Sequence, residues 1–107
     1  MIKIEVLNTL AKEIRKRFNK KDRLEIKNLF ESLKESPNKG KTLYNLRSLT
    51  LKELKYKSFR FYFITDGSTL KFINKKQLKD LLIKFIAMSD KKHQQTVIDE
   101  IKSRFFF

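Results

Sequence analysis

With no Cys, one His and carboxylates scattered along 107 residues, any chemistry this sequence performs rests on basic side chains. Phosphodiester cleavage suits such a set. Cations stabilise the extra negative charge of a phosphorane-like transition state, and His, Lys or Tyr can move protons. The missing Cys excludes a disulfide framework, thiolate zinc sites, Fe–S clusters and a Cys nucleophile. One His defines neither a Ser-His-Asp order nor a His-x-x-x-His pair. The two Gly residues stand too far apart for a phosphate-cradling loop. Neither a metal nor a small-molecule cofactor is expected.

The basic residues fall into groups. Lys39, Lys41 and Arg47 follow a Pro/Gly turn. Lys52, Lys55, Lys57 and Arg60 run across a strand-rich stretch. Lys75-Lys76 form a pair, and Lys91-Lys92-His93 open what reads as the last helix. Arg60 carries the most information. It lies mid-strand among Phe59, Phe61 and Phe63, on the opposite face with Tyr62. On an open sheet face, an Arg and a Tyr can hold a phosphate and stack a base. Arg60 could equally be solvated there, or paired with a carboxylate such as Glu53. Lys91 and Lys92 would oppose a helix dipole, which suggests a local anion. His93 could serve as acid or base, or be an ordinary surface residue.

The totals agree with a polyanion partner. Lys and Arg number 26 against 12 Asp and Glu, a formal charge of +14. That excess opposes compaction and favours a counter-charged partner, RNA before DNA or an acidic protein. The length fits a single domain, 1–107. No apolar run approaches the ~20 residues a membrane span needs. The start, Met1-Ile2-Lys3-Ile4-Glu5-Val6, alternates unlike a signal peptide, so the chain is expected to be cytoplasmic.

The elements that must position these residues follow from periodicity. Ile2, Ile4 and Val6 predict a short strand. Leu7, Leu10, Ile14 and Phe18 predict an amphipathic helix. Asn19 can cap a second helix carrying Ile26, Leu29, Phe30 and Leu33. Ser36-Pro37-Asn38-Lys39-Gly40 ends it. Leu43–Leu54 favours strand without a clear register. Ser58–Thr65 is a strand with its Phe residues on one face, which the helical hairpin would cover. Asp66-Gly67 signals a hairpin turn, with Thr69–Ile73 returning. Local signals, including an Asn74/Gln77 capping pattern, favour a helix over 75–88; the alternative is a buried strand at Leu81–Met88. Ser89 or Asp90 can cap a final helix with Val97, Ile98, Ile101 and Phe105 as its stripe. Phe105-Phe106-Phe107 either packs back on the core or forms an interaction patch. The expected class is α+β: an N-terminal strand and two-helix hairpin on a small antiparallel sheet, with one or more C-terminal helices.

The segment Gly40-Lys41-Thr42-Leu43-Tyr44-Asn45-Leu46-Arg47 resembles the entry to the sheet in the RelE/ParE superfamily of toxin–antitoxin toxins. Ser58-Phe59-Arg60-Phe61-Tyr62-Phe63 is similar to that family's aromatic-Arg-x-x-aromatic strand. Ile83–Gln94, ending in Lys91-Lys92-His93-Gln94, resembles the last strand and Lys-Lys-x-Gln stretch of its HigB-like branch. Leu70–Leu82 departs from the family as an insertion, and its C-terminal Tyr or His has no match. The resemblance implies a compact toxin neutralised by an acidic antitoxin. It implies ribosome-dependent endoribonuclease activity on messenger RNA, by attack of the 2′-OH without metal, and so inhibition of translation. Arg60 would then hold the scissile phosphate, and Lys92 or its neighbours would stabilise charge. His93 or Tyr62 would assist proton transfer. Arg47, Lys52, Lys55, Lys57, Lys75, Lys76 and Lys91 would bind RNA. Lys75-Lys76 would take the catalytic place if Leu70–Leu82 supplied the strand and terminal helix. A non-catalytic basic binding module and a gyrase-directed ParE-like toxin are the alternatives.

Overall fold

Ile2–Val6 forms strand β1, and the chain then turns directly into two helices. The computed structural model describes residues 2–46, 49–66 and 81–106. Helix α1 spans Asn8–Arg17 and α2 spans Lys20–Glu31. Only Phe18 and Asn19 separate them, which forces a tight hairpin. Asn19 stops the first helix and starts the second: its Oδ1 accepts the Asp22 backbone N–H at 2.8 Å. A 3-10 turn at Ser32–Lys34 buries Leu33 before the Pro37 break.

Strands β2 (Lys41–Leu46), β3 (Leu49–Tyr56), β4 (Phe59–Asp66) and β5 (Leu81–Asp90) complete a five-stranded sheet in the order β1-β5-β4-β3-β2. Helix α3 spans Gln94–Phe105. The α+β class holds, but the sheet is mixed, because β1 runs parallel to β5. Gly40 enters β2 at φ +103°, and a Cβ there would sit 3.1 Å from the Glu53 carbonyl oxygen and the Phe63 ring. Lys57, in the two-residue β3–β4 turn, takes a positive φ of 54°.

The sheet separates two cores. On one side α1 and α2 cover Leu54, Phe59, Phe61, Phe63, Ile83, Phe85 and Met88. Phe30 of α2 anchors this side, stacked on Phe85 at 3.6 Å and edge-on to Phe61 at 5.1 Å. On the other side α3 covers Leu51, Tyr62, Ile64 and Ile86, using Val97, Ile98, Ile101 and Phe106. Phe106 packs back edge-on to Tyr44 at 5.1 Å, one of the two expected fates of the C-terminal Phe cluster; Phe105 stays 38% exposed.

Two expectations are corrected. The helix expected over 75–88 is a strand from Leu81, while 75–80 lies outside the described residues. β5 sits between β1 and β4 with apolar side chains on both faces, so its sequence is a continuous apolar run. A bulge compounds this. Tyr62 pairs with Ala87 and Phe63 with Phe85, so Ile86 is the extra residue. The bulge puts Ile86 and Ala87 on the same side and breaks the period-2 alternation. Leu82, Phe85 and Ile86 then mimic helical spacing. The second correction concerns β4. Its expected return strand, Thr69–Ile73, lies outside the described residues, and both edges of β4 are taken by β3 and β5.

Candidate functional site

The α3 side of the sheet holds a cleft of about 620 Å³ at the end nearest the β3–β4 turn. Cross-strand register builds it. Lys55 lies directly opposite Arg60, and Lys41 opposite Glu53. Gln94, Gln95 and Ile98 of α3 form the facing wall. Three cations therefore converge around one carboxylate.

Arg60 is 7% exposed and locked in place. Its Nε lies 3.4 Å from Glu53 Oε1, and its Nη1 donates to the Phe59 carbonyl at 3.2 Å. A guanidinium has five N–H donors, so capacity remains for an anion in the cleft. Glu53 is the partner the sequence offered as the plainer alternative for Arg60. In the folded chain the pair sits inside the cleft rather than on a solvated face.

Lys91, Lys92 and His93 are exposed and follow β5 directly, where Ser89 pairs with Arg60 and Asp90 with Phe59. They lie in the turn before α3, which begins at Gln94, so they do not oppose a helix dipole from its first turn. Neither Ser89 nor Asp90 caps α3 with its side chain. Asp90 instead grips His93 twice: Oδ1 accepts the His93 backbone N–H at 2.9 Å and lies 2.7 Å from Nδ1. The His93 ring bond holds the Asp90 carboxyl below the usual carboxylate range. Where Nδ1 donates to Asp90, Nε2 of the neutral ring is an acceptor. An Asp three residues before a His was the available sequence signal for this pair.

Other expected site residues go elsewhere. Tyr62 is fully buried beneath α3, with its hydroxyl 2.8 Å from Ser89 Oγ, and burial raises its pKa. The open sheet face expected for Tyr62 is thus a second core. Lys52 points to the α1–α2 side at 8% exposure, donates to the Asn38 carbonyl at 3.1 Å and lies over the Phe63 ring. Desolvation lowers its pKa. Lys57 pairs with Asp22 at 2.8 Å at the start of α2. Arg47, Lys75 and Lys76 lie outside the described residues. Among the described residues, no three His, Asp or Glu side chains group closely enough to hold a metal ion. No described helix is long and apolar enough to cross a membrane.

No family model matches the chain. No curated protein matches it. Among solved structures, the chain is similar to the isolated E. coli RelE toxin, with 14% identity over 91% of this chain and 96% of that chain, at a TM-score of 0.49.

Proposed function

We propose that this chain is the toxin of a toxin–antitoxin pair and an endoribonuclease that cuts messenger RNA on the ribosome. The observation that carries this is the convergence of Arg60, Lys55 and Lys41 in one cleft, whose α3 wall starts at Gln94, the residue after His93. The motifs around Gly40–Arg47, Phe59–Phe63 and Ile83–Gln94 support the same assignment.

In this scheme the RNA backbone enters the cleft and Arg60 donates to the scissile phosphate. The His93 Nε2 takes the 2′-OH proton as that oxygen attacks phosphorus. The P–O5′ bond breaks, leaving a 2′,3′-cyclic phosphate, and the departing 5′-oxygen takes a proton from Lys92, the residue we assign as donor. Arg60, Lys55 and Lys92 offset the charge that builds on the phosphoryl oxygens. Lys91 extends the cationic track. An acidic antitoxin would neutralise the toxin by countering its charge.

The test is 5′-end mapping of a message in a reconstituted translation reaction. Wild type should give codon-phased cuts, and His93→Asn and Lys92→Ala, both at exposed positions, should each slow them about a hundred-fold. Full activity in both variants would remove this site from the mechanism. No cuts by folded wild type with added ribosomes would leave a binding module.

A further inference from the structure

Lys52 is a buried cation that the proposed mechanism leaves unused. It shares burial with two other polar side chains, Arg60 and Ser89. Arg60 has the Glu53 carboxylate, and Ser89 has the Tyr62 hydroxyl. Among the described residues, no carboxylate pairs with Lys52, although it is only 8% exposed. Its Nζ donates to the Asn38 carbonyl at 3.1 Å and lies 5.9 Å from the centre of the Phe63 ring. The ring face offsets part of the cost of burial, but an ammonium without a counter-charge still lowers stability. Asn38 is exposed, so water can donate to its carbonyl equally well. Stability alone therefore gives no reason for a cation here.

The bond holds the turn that leads into the Arg60 cleft. The Lys39 backbone N–H donates to the Ser36 carbonyl at 3.0 Å and closes that turn. Gly40 comes next, seated against the Glu53 carbonyl and the Phe63 ring. Lys41 then opens β2 opposite Glu53, and both Gly40 and Lys41 line the cleft. β2 is an edge strand with β3 as its one neighbour in the sheet, so the turn before it decides where its first residue stands. Lys52 lies directly opposite Phe63 on the far side of the sheet, and the two hold the turn from behind. We propose that Lys52 is a positioning residue: by holding the Asn38 carbonyl it sets where Gly40 and Lys41 stand, and so how the cleft meets a phosphate. This role rests on the cleft being the place where RNA is cut. Lys52 touches no substrate, and it acts through Lys41. A misplacement of about 1 Å at such a group is enough to slow a reaction by up to a hundred-fold. A residue that weakens the fold is retained where activity needs it.

Lys52→Met keeps the apolar stem and removes the charge. Its urea midpoint should equal or exceed that of wild type, while codon-phased cutting on the ribosome should slow about ten-fold. Lys41→Met should slow cutting by a similar factor. Lys41→Met/Lys52→Met should be no slower than either single variant, because both changes remove one contact. Lys52→Arg keeps a charged donor and should recover most of the rate. The same variants are titrated with a short 2′-O-methyl RNA, which cannot be cut, by following the backbone amides of Lys41 and Arg60. Affinity should fall in the same pattern as rate. Wild type that binds this RNA in the cleft yet cuts no message would refute the nuclease and still support the role of Lys52 if the affinity pattern holds. Full rate and affinity in Lys52→Met would overturn that role, as would additive losses in the double variant. A lowered urea midpoint for Lys52→Met would make the residue structural instead. RNA that shifts no cleft amide would overturn both the site and the role.

Discussion

Replacing Arg60 tests folding and function at once, and the structure separates the two. The Arg60 and Glu53 side chains are 9% and 12% exposed, 3.4 Å apart between Nε and Oε1. Arg60→Leu leaves the Glu53 carboxylate desolvated without its main counter-charge. Breaking a buried pair this way costs about 3–5 kcal/mol. The lower end applies, because Lys41 lies opposite Glu53 and can take up part of the charge. A loss of about 3 kcal/mol, at a urea m-value of about 2 kcal/mol/M, lowers the unfolding midpoint by roughly 1.5 M. Glu53→Leu strands Arg60 and should cost a similar amount. The double variant Glu53→Leu/Arg60→Leu removes both charges and should return to within about 1 kcal/mol of wild type. Urea unfolding of all four proteins closes the cycle, with an expected coupling of about 2 kcal/mol or more. Single effects that add to within about 0.5 kcal/mol would refute the coupling and the buried-pair account. The double variant also isolates function: folded but without the guanidinium, it should not cleave RNA.

Tyr62→Phe should cost about 1–3 kcal/mol, because Ser89 Oγ loses its buried partner, and should leave cleavage unchanged; a large loss of activity in a stably folded variant would return Tyr62 to the mechanism. Phe85→Ala removes the ring stacked on Phe30 and touching Phe63, and should cost about 3–5 kcal/mol in denaturant unfolding. A loss below about 1 kcal/mol would contradict the central placement of β5. Hydrogen bonds from Lys57 and then Tyr56 hold the Asp22 carboxyl below its ordinary value. A depressed folded pKa adds stability above the unfolded pKa of about 3.9, and that stability disappears as pH falls through the folded value. The stability gap between wild type and Asp22→Asn should therefore be full at pH 7 and close in strong acid; a gap that is constant with pH would show that the charge is not responsible.

Much of the local structure was legible because it depends on near neighbours. The spacing of Leu10, Ile14 and Phe18 and the cap at Asn19 specify the hairpin of helices. The alternation of Phe59, Phe61 and Phe63 assigns them to the helix-covered side. Three features were not legible, because each depends on residues far apart in the chain. β5 reads as a helix since it is buried on both faces and bulged at Ile86, and burial is set by where β1 and β4 lie. Tyr62 and Arg60 share a strand face, but only the docking of α3 decides that the first is core and the second lines a cleft. Lys52, Lys55 and Lys57 are equivalent cations in sequence. Pleating sends Lys55 to the cleft and Lys52 to the other side, and the positive φ of Lys57 in its turn accompanies its pairing with Asp22. The sequence by itself determined the inventory: which charges exist, and which segments can bury apolar faces. The tertiary structure decided which charges meet, because desolvation and pairing are properties of neighbours in space rather than in sequence.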